Sequence, residues 1–170
     1  MTTAMIMMAV TRAWAAAVGL IQVAAAIRIQ LEVNRSAWVL ANLISQEADV
    51  TTAELGDFAV AAQDCYDFKV GTLVMSAASV NFTTAYPTGT VAWDASSVSA
   101  ANYLAMPAAT VTSAAKLTTG AGNDSVIVVR TSATFTVPFP VLPFVKLPTS
   151  FTFTDVVYAR PRLGYVVTLN

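Results

Sequence analysis

MTTAMIMMAVTRAWAAAVGLIQVAAAIRIQLEVNRSAWVLANLISQ, residues 1–46, decides the fold. Through Ile27 the run carries one charged side chain, Arg12, one amide, Gln22, one glycine, Gly19, and no proline. Ala, Met, Leu and Ile are good helix formers, and nothing breaks the pattern. About 27 residues rising ~1.5 Å each make a rod of ~40 Å, more than the ~30 Å hydrocarbon layer of a bilayer. Arg12 works against a clean span, because a charge at mid-bilayer costs ~2.5–3.5 kcal/mol. Between Arg12 and Arg28 the apolar stretch is ~22 Å long, so both arginines would have to reach towards opposite interfaces. A removed signal peptide would need a basic segment ahead of the apolar run. Here nothing basic precedes it except the terminal amine, and helical character does not stop at Ile27.

Beyond Arg28 apolar residues recur at Ile29, Val33, Ala37, Leu40 and Ile44, with Glu32, Asn34, Arg35, Asn42, Ser45 and Gln46 between them. Steps of three and four predict an amphipathic helix continuous with the apolar one, a single rod of about 45 residues. The boundary divides the chain into 1–28, a hydrophobic helix for a membrane or filament core, and 29–170, a head. Ala residues and Gly19 allow close helix–helix approach. Trp14, Val18, Gly19, Leu20, Ile21, Val23 and Ile27 are the candidate assembly residues, with Arg12, Arg28 and Glu32 as candidate charge partners.

The rest of the chain is of mixed type. Thr51-Thr52-Ala53-Glu54 reads as a capping box, followed by a Leu55, Phe58, Ala59, Ala62 stripe on a helix of about 14 residues. Asp64 and Asp67 stand three apart there, and Cys65, Tyr66 and Phe68 read as helix-end and core residues. Lys69–Phe82 and Thr90–Trp93 read as a hairpin around a turn at 85–89. Asp94–Gly122 is Ala/Ser/Thr-rich without clear period and reads as an irregular surface excursion. Gly122-Asn123 turns into Ser125–Val137, whose VIVV has the look of a buried strand. Pro138, Pro140, Pro143 and Pro148 forbid a continuous central strand after it. Ser150–Tyr158 alternates cleanly, Arg160-Pro161-Arg162 interrupts, and Gly164–Leu169 resumes. The expected fold is α+β: a long N-terminal apolar helix running into an amphipathic helix that covers one face of about four antiparallel strands.

Composition narrows function. The chain has 170 residues, 56% hydrophobic and 11% charged, with net charge −1. A mean hydropathy of +0.62 is too high for an ordinary wetted surface. So few Lys and Arg do not supply the phosphate-neutralising charge of a nucleic-acid binder. Without histidine, and with Cys65 alone, neither a His-based catalytic set nor the usual zinc site can be built. Six acids from Glu47 to Asp67 lack the spacing and glycine of a calcium loop. No catalytic, cofactor-binding or metal-ligating set and no small-molecule substrate are expected. The sequons at Asn34, Asn81 and Asn123 are given no weight. Trp14 and Trp38 suit membrane interfaces, and Trp38 equally a helix–sheet contact. Arg160 and Arg162 are candidates for pairing with carboxylates of the head, Asp155 or Asp57.

In order, VNRSAWVLANLISQ (33–46), DVTTAELGDFAVAA (49–62), TLVMSAASVNF (72–82), GTVAWD (89–94), SVIVVRTSATFTVPF (125–139) and VYARPRLGYVVTLN (157–170) resemble the TadE/TadG-like pseudopilins of tight-adherence pilus systems. The matching landmarks are Asn34-Arg35, Leu43-Ile44-Ser45-Gln46, Trp93 and Arg160-Pro161-Arg162, over roughly Ile29 to Asn170. The Glu-Phe-like start of the family's mature helix has no counterpart, since no acid precedes Glu32, and the frequent second cysteine is missing. The resemblance implies a pilin-like structural subunit of an adhesion pilus. It would be held first in the inner membrane with its head outside, then packed through its helix among homo- or hetero-oligomeric pilin partners at the cell surface. The alternatives are a bitopic membrane-anchored accessory protein with a β-rich extracytoplasmic head, or another self-assembling surface or virion subunit.

Overall fold

The structure, a computed structural model, describes residues 2–66, 72–83, 86–98, 103–114, 124–137, 141–142, 145–146, 148–163 and 166–170. Helix α1 runs unbroken from Thr2 to Gln46, 45 residues and ~68 Å. Strand β1 (Asp49–Val50) and helix α2 (Thr52–Asp64) follow. Then come β2 (Leu73–Thr83), β3 (Tyr86–Asp94), a 3-10 turn at Ala95–Val98 and α3 (Ala108–Ala114). The last elements are β4 (Asp124–Thr136), β5 (Val141–Leu142), β6 (Val145–Lys146), β7 (Ser150–Ala159) and β8 (Thr168–Leu169). The chain is an α+β fold, with a long apolar helix set on a four-stranded sheet.

That sheet has the order β3-β2-β4-β7, every neighbouring pair antiparallel. Its register places Leu73 opposite Ala133, Phe82 opposite Asp124, and Phe151 opposite Phe135. Alternation then sends Met75, Ala77, Ile127, Val129, Ala133, Phe135 and Val157 to one face. The expected helical face of α1 meets them there: Ile29, Val33, Ala37, Leu40 and Ile44 are fully buried. Each large aliphatic side chain so covered is worth ~1.5–3 kcal/mol. Two hydrogen bonds fix the helix on the sheet. The Thr131 hydroxyl donates to the Val33 carbonyl at 3.0 Å, and Asn34 Nδ2 donates to Asp155 Oδ2 at 2.7 Å.

Helix α2 starts as its sequence says. Thr51 accepts from the Glu54 amide at 3.3 Å, and the Glu54 carboxylate accepts from the Thr51 amide at 2.7 Å. Leu55, Ala59 and Ala62 are buried, with Phe58 packed beside them. Cys65 caps the helix as a half-buried free thiol. Tyr66 packs against the core, while Asp67, Phe68 and Lys69 lie outside the described residues.

Three expectations change. The excursion after Asp94 is a second covering layer. Met106, Val111 and Ala114 pack on Ala78, Val80, Val126 and Val128, the reverse face of the sheet. Tyr103 bridges Met75 and donates its hydroxyl to the Leu55 carbonyl at 3.0 Å, and Asp94 accepts from the Ser96 and Met106 amides at 2.9 and 2.8 Å. Strand β3 begins earlier than expected, since it already pairs at Tyr86, opposite Thr83. Pro87 is tolerated because β3 is an edge strand. The C-terminal segment does not resume the main sheet. Thr168 and Leu169 pair in parallel with Asp49 and Val50, and the Val167 carbonyl accepts from Trp93 Nε1 at 2.8 Å. Gly122, Asn123, Pro138, Pro140, Pro143, Gly164 and the turn residue Ala85 lie outside the described residues.

Gly89 has φ +83°, and a Cβ there would lie 2.6–2.9 Å from the Phe82 and Val80 side chains. Gly89→Ala is expected to lower the melting temperature measured by circular dichroism, through both the positive φ and the clash. Thr51→Ala tests the cap. Hydrogen bonds from the Thr51 amide and hydroxyl hold the Glu54 pKa below its ordinary value. A depressed carboxylate pKa stabilises the fold above the unfolded pKa, and that contribution is lost as pH falls through the folded one. The deficit of Thr51→Ala in melting temperature should therefore be largest at neutral pH and shrink in acid.

Candidate assembly surface

Residues 2–21 form the N-terminal stalk of α1, ~30 Å of helix that meets the head from about Gly19. Gln22 is the first buried residue among those whose side chains are described. Ahead of it the side chains that should be inside a protein are outside. Trp14 and Leu20 are each 71% exposed and Ile21 is 70% exposed, with Ile6, Met7, Met8 and Val10 also open. Val23 and Ile27, beside the head, are exposed too. Val18 and Gly19 are half-covered. Helix α1 is long and apolar enough to cross a membrane. The Thr11 hydroxyl donates to the Met7 carbonyl at 2.7 Å, so this polar group is satisfied within the helix. Arg12 is exposed part-way along the stalk.

The other expected charge partners meet on the helix itself. Arg28 Nε lies 2.8 Å from Glu32 Oε1, one turn apart, with the glutamate mostly covered and the arginine open. Glu32 also faces Tyr66, whose hydroxyl pKa is raised by burial first and by the Glu32 charge second. Both residues are thus engaged at the root of the stalk, where the helix enters the head.

Where stalk meets head, Gly19, Gln22, Val23 and Ala26 face Phe135, Val137, Phe151 and Phe153 across an open apolar hollow of about 380 Å³. The small residues of α1 leave this space. Phe151 is 40% exposed beside it.

A second feature lies lower, between α1 and the end of β7. Arg35, Trp38, Asn42 and Ser45, spaced three, four and three apart on one helix face, oppose Tyr158, Arg160 and Arg162 across an open groove of about 490 Å³. The Arg162 amide donates to the Ser45 carbonyl at 2.8 Å, and its Nη2 donates to Asn42 Oδ1 at 2.7 Å. Arg160 Nη2 lies 3.4 Å from Asp124 Oδ2. The expected acidic partners are therefore corrected. Asp155 is taken by Asn34, and Asp57 stands exposed on α2. Both corrections have one cause: Arg160 leaves the sheet level with the first residues of β4, where Asp124 is within reach. Trp38 is 56% exposed and lines the rim of the groove opposite Tyr158 of β7. Arg35 belongs with the arginine pair although the sequence reading left it out. The 35, 38, 42, 45 spacing, a second face beside the buried one, was the signal for it.

Among the described residues no three His, Cys, Asp or Glu side chains stand close enough to hold a metal. Comparison with protein-family models, curated proteins and solved structures finds no match.

A Cβ at Gly19 would meet nothing within 4 Å. Gly19→Ala is therefore expected to preserve the head and to strengthen the helix by up to ~1 kcal/mol. Thermal melting of the full chain in detergent, followed by circular dichroism, checks this; a lower melting temperature would show that the position is packed.

Proposed function

We propose that this chain is a pilin-like structural subunit that assembles through its N-terminal helix into a cell-surface filament of the tight-adherence type. The observation that carries the reading is the pairing of an apolar helical segment, exposed at most described positions from Ile6 to Ile21, with a head packed on the same unbroken helix. Such a surface is not stable in water, at ~25 cal/mol per Å² of apolar area. It has two suitable homes. Lipid shelters it before assembly, with the head outside the inner membrane, and sibling helices shelter it afterwards. The same transfer free energy serves both states, so subunits can move from one to the other without a large net cost. The small residues Ala15, Gly19 and Ala26 allow neighbouring helices to approach closely. Function in this reading is assembly and surface display, with no bond made or broken and no cofactor.

The resemblance of residues 29–170 to TadE/TadG-like pseudopilins supports the same reading. The bitopic membrane-anchored accessory protein differs from it in one respect: its helix never leaves the lipid.

The test is made on the full chain. Detergent and not high salt should release it from membranes, and removal of detergent should give filaments by negative-stain electron microscopy. Leu20→Lys with Val23→Lys, both on exposed positions, should leave the circular dichroism of the head unchanged and reduce filament yield at least tenfold. Single chains at every concentration in detergent-free buffer would overturn the proposal. Membrane-bound chains that never form filaments would favour the anchored accessory protein.

A further inference from the structure

The stalk alone would let subunits pack in any rotation about their helices. Two features of the head supply a direction. The groove carries Arg35, Arg160 and Arg162 around Trp38 and Tyr158, and among the described residues no acidic side chain lines it. Arg160 is satisfied by Asp124 beside the groove, while Arg35 is exposed and has no ion-pair partner among the described residues. On α2, Ala53, Asp57, Val60 and Asp64 form a single outward stripe, at steps of four, three and four, and all four are exposed. Asp57 and Asp64 are two turns apart, ~10.5 Å along the helix, with Val60 (54% exposed) between them. The stripe is acid, aliphatic, acid; the groove is cationic with an aromatic rim.

The two surfaces cannot meet within one molecule. Helix α2 packs on α1 and reaches the Tyr103 end of the sheet, through Leu55. The groove opens between α1 and β7, the opposite edge strand. They lie on opposite flanks of α1.

We propose that the α2 stripe of one copy docks in the Arg35–Arg160–Arg162 groove of the next, Val60 against Trp38 and the two aspartates against the arginines. The occupant is a second copy of this chain, chosen by charge complementarity. Such a contact joins two different patches, so it is heterologous and repeats without closing on itself unless its rotation makes a ring. It orders neighbouring heads in one direction while the stalks bury their apolar surface. Carboxylate–guanidinium pairs there give orientation and exclude the reversed neighbour, which would set groove against groove. The inference rests on the assembly reading and adds the contact that directs it.

Cysteine pairing between separate full-length chains in detergent tests it, with Cys65→Ser in both. One chain carries Trp38→Cys and the other Val60→Cys. A disulfide requires Cβ atoms about 3.5–4.5 Å apart. Oxidation of the mixture is expected to give a two-chain product at least tenfold above either variant alone. Asp57→Arg with Asp64→Arg on the Val60→Cys chain should abolish it. Arg35→Glu with Arg162→Glu on the Trp38→Cys chain should restore it, which a mere folding defect would not do. Large assemblies without the mixed product, or a product indifferent to both charge changes, would overturn the docking and leave assembly through the stalk standing. Chains that stay single at every concentration after detergent is removed would overturn both.

Discussion

Helix α1 has to satisfy two environments with one unbroken backbone, and the rest of the molecule is arranged around that constraint. From Ile29 to Ile44 its buried face is clamped by β4 and β7. Ahead of Gln22 most of its described side chains are exposed. Because backbone groups inside a helix bond within it and only its end turns are left unpaired, the rod can leave the head without exposing unpaired N–H or C=O groups along its length. A strand could not do this, since its edges would demand partners. The apolar stalk is thus compatible only with helix, and the helix then decides which face the sheet must offer.

The sheet answers with the same economy. Val126, Ile127, Val128 and Val129 are buried in succession because β4 is covered on both sides, by α1 on one and by the Met106–Ala114 layer on the other. Polar fasteners sit where the apolar packing alone would slide. Thr131 ties β4 to the Val33 carbonyl, and Asn34 ties α1 to Asp155 of β7. Trp93 holds the C-terminal segment through the Val167 carbonyl, and Thr168 pairs with the Asp49 side chain. Each joins residues far apart in the chain, so each resists sliding of one element over another more than any single apolar contact does.

What the sequence made legible follows from the range of the forces. The unbroken α1, the Thr51–Glu54 box and the Ser150–Tyr158 strand are local patterns, and all three elements are present in the structure. Met106, Val111 and Ala114 were not readable as core, because a short layer over half a sheet face needs too few apolar residues to set up a period. The arginine partners were not readable either. Asp124 lies 36 positions from Arg160 and Asn42 lies 120 from Arg162, so only the register of β4 with β7 and the packing of α1 bring them together. Nearest-in-pattern carboxylates such as Asp155 mislead in this situation, since a strand residue's partner is set by which face it occupies.

The absence of any break between Ile27 and Ile29 has a mechanical consequence. Neither proline nor glycine stands at the junction of stalk and head, and the Arg28–Glu32 pair spans it. Rotation of the head therefore rotates the stalk with it. In an assembly of such subunits, contacts among heads and packing among stalks cannot be tuned separately: a neighbour that seats against one head fixes the azimuth at which its own helix meets the others. The exposed charge of Arg12 then falls at a defined angle on the stalk instead of a free one. A single cation in an apolar bundle is tolerable under that condition, because the same fixed angle that carries it into the bundle brings it against the same partner groups in every repeat.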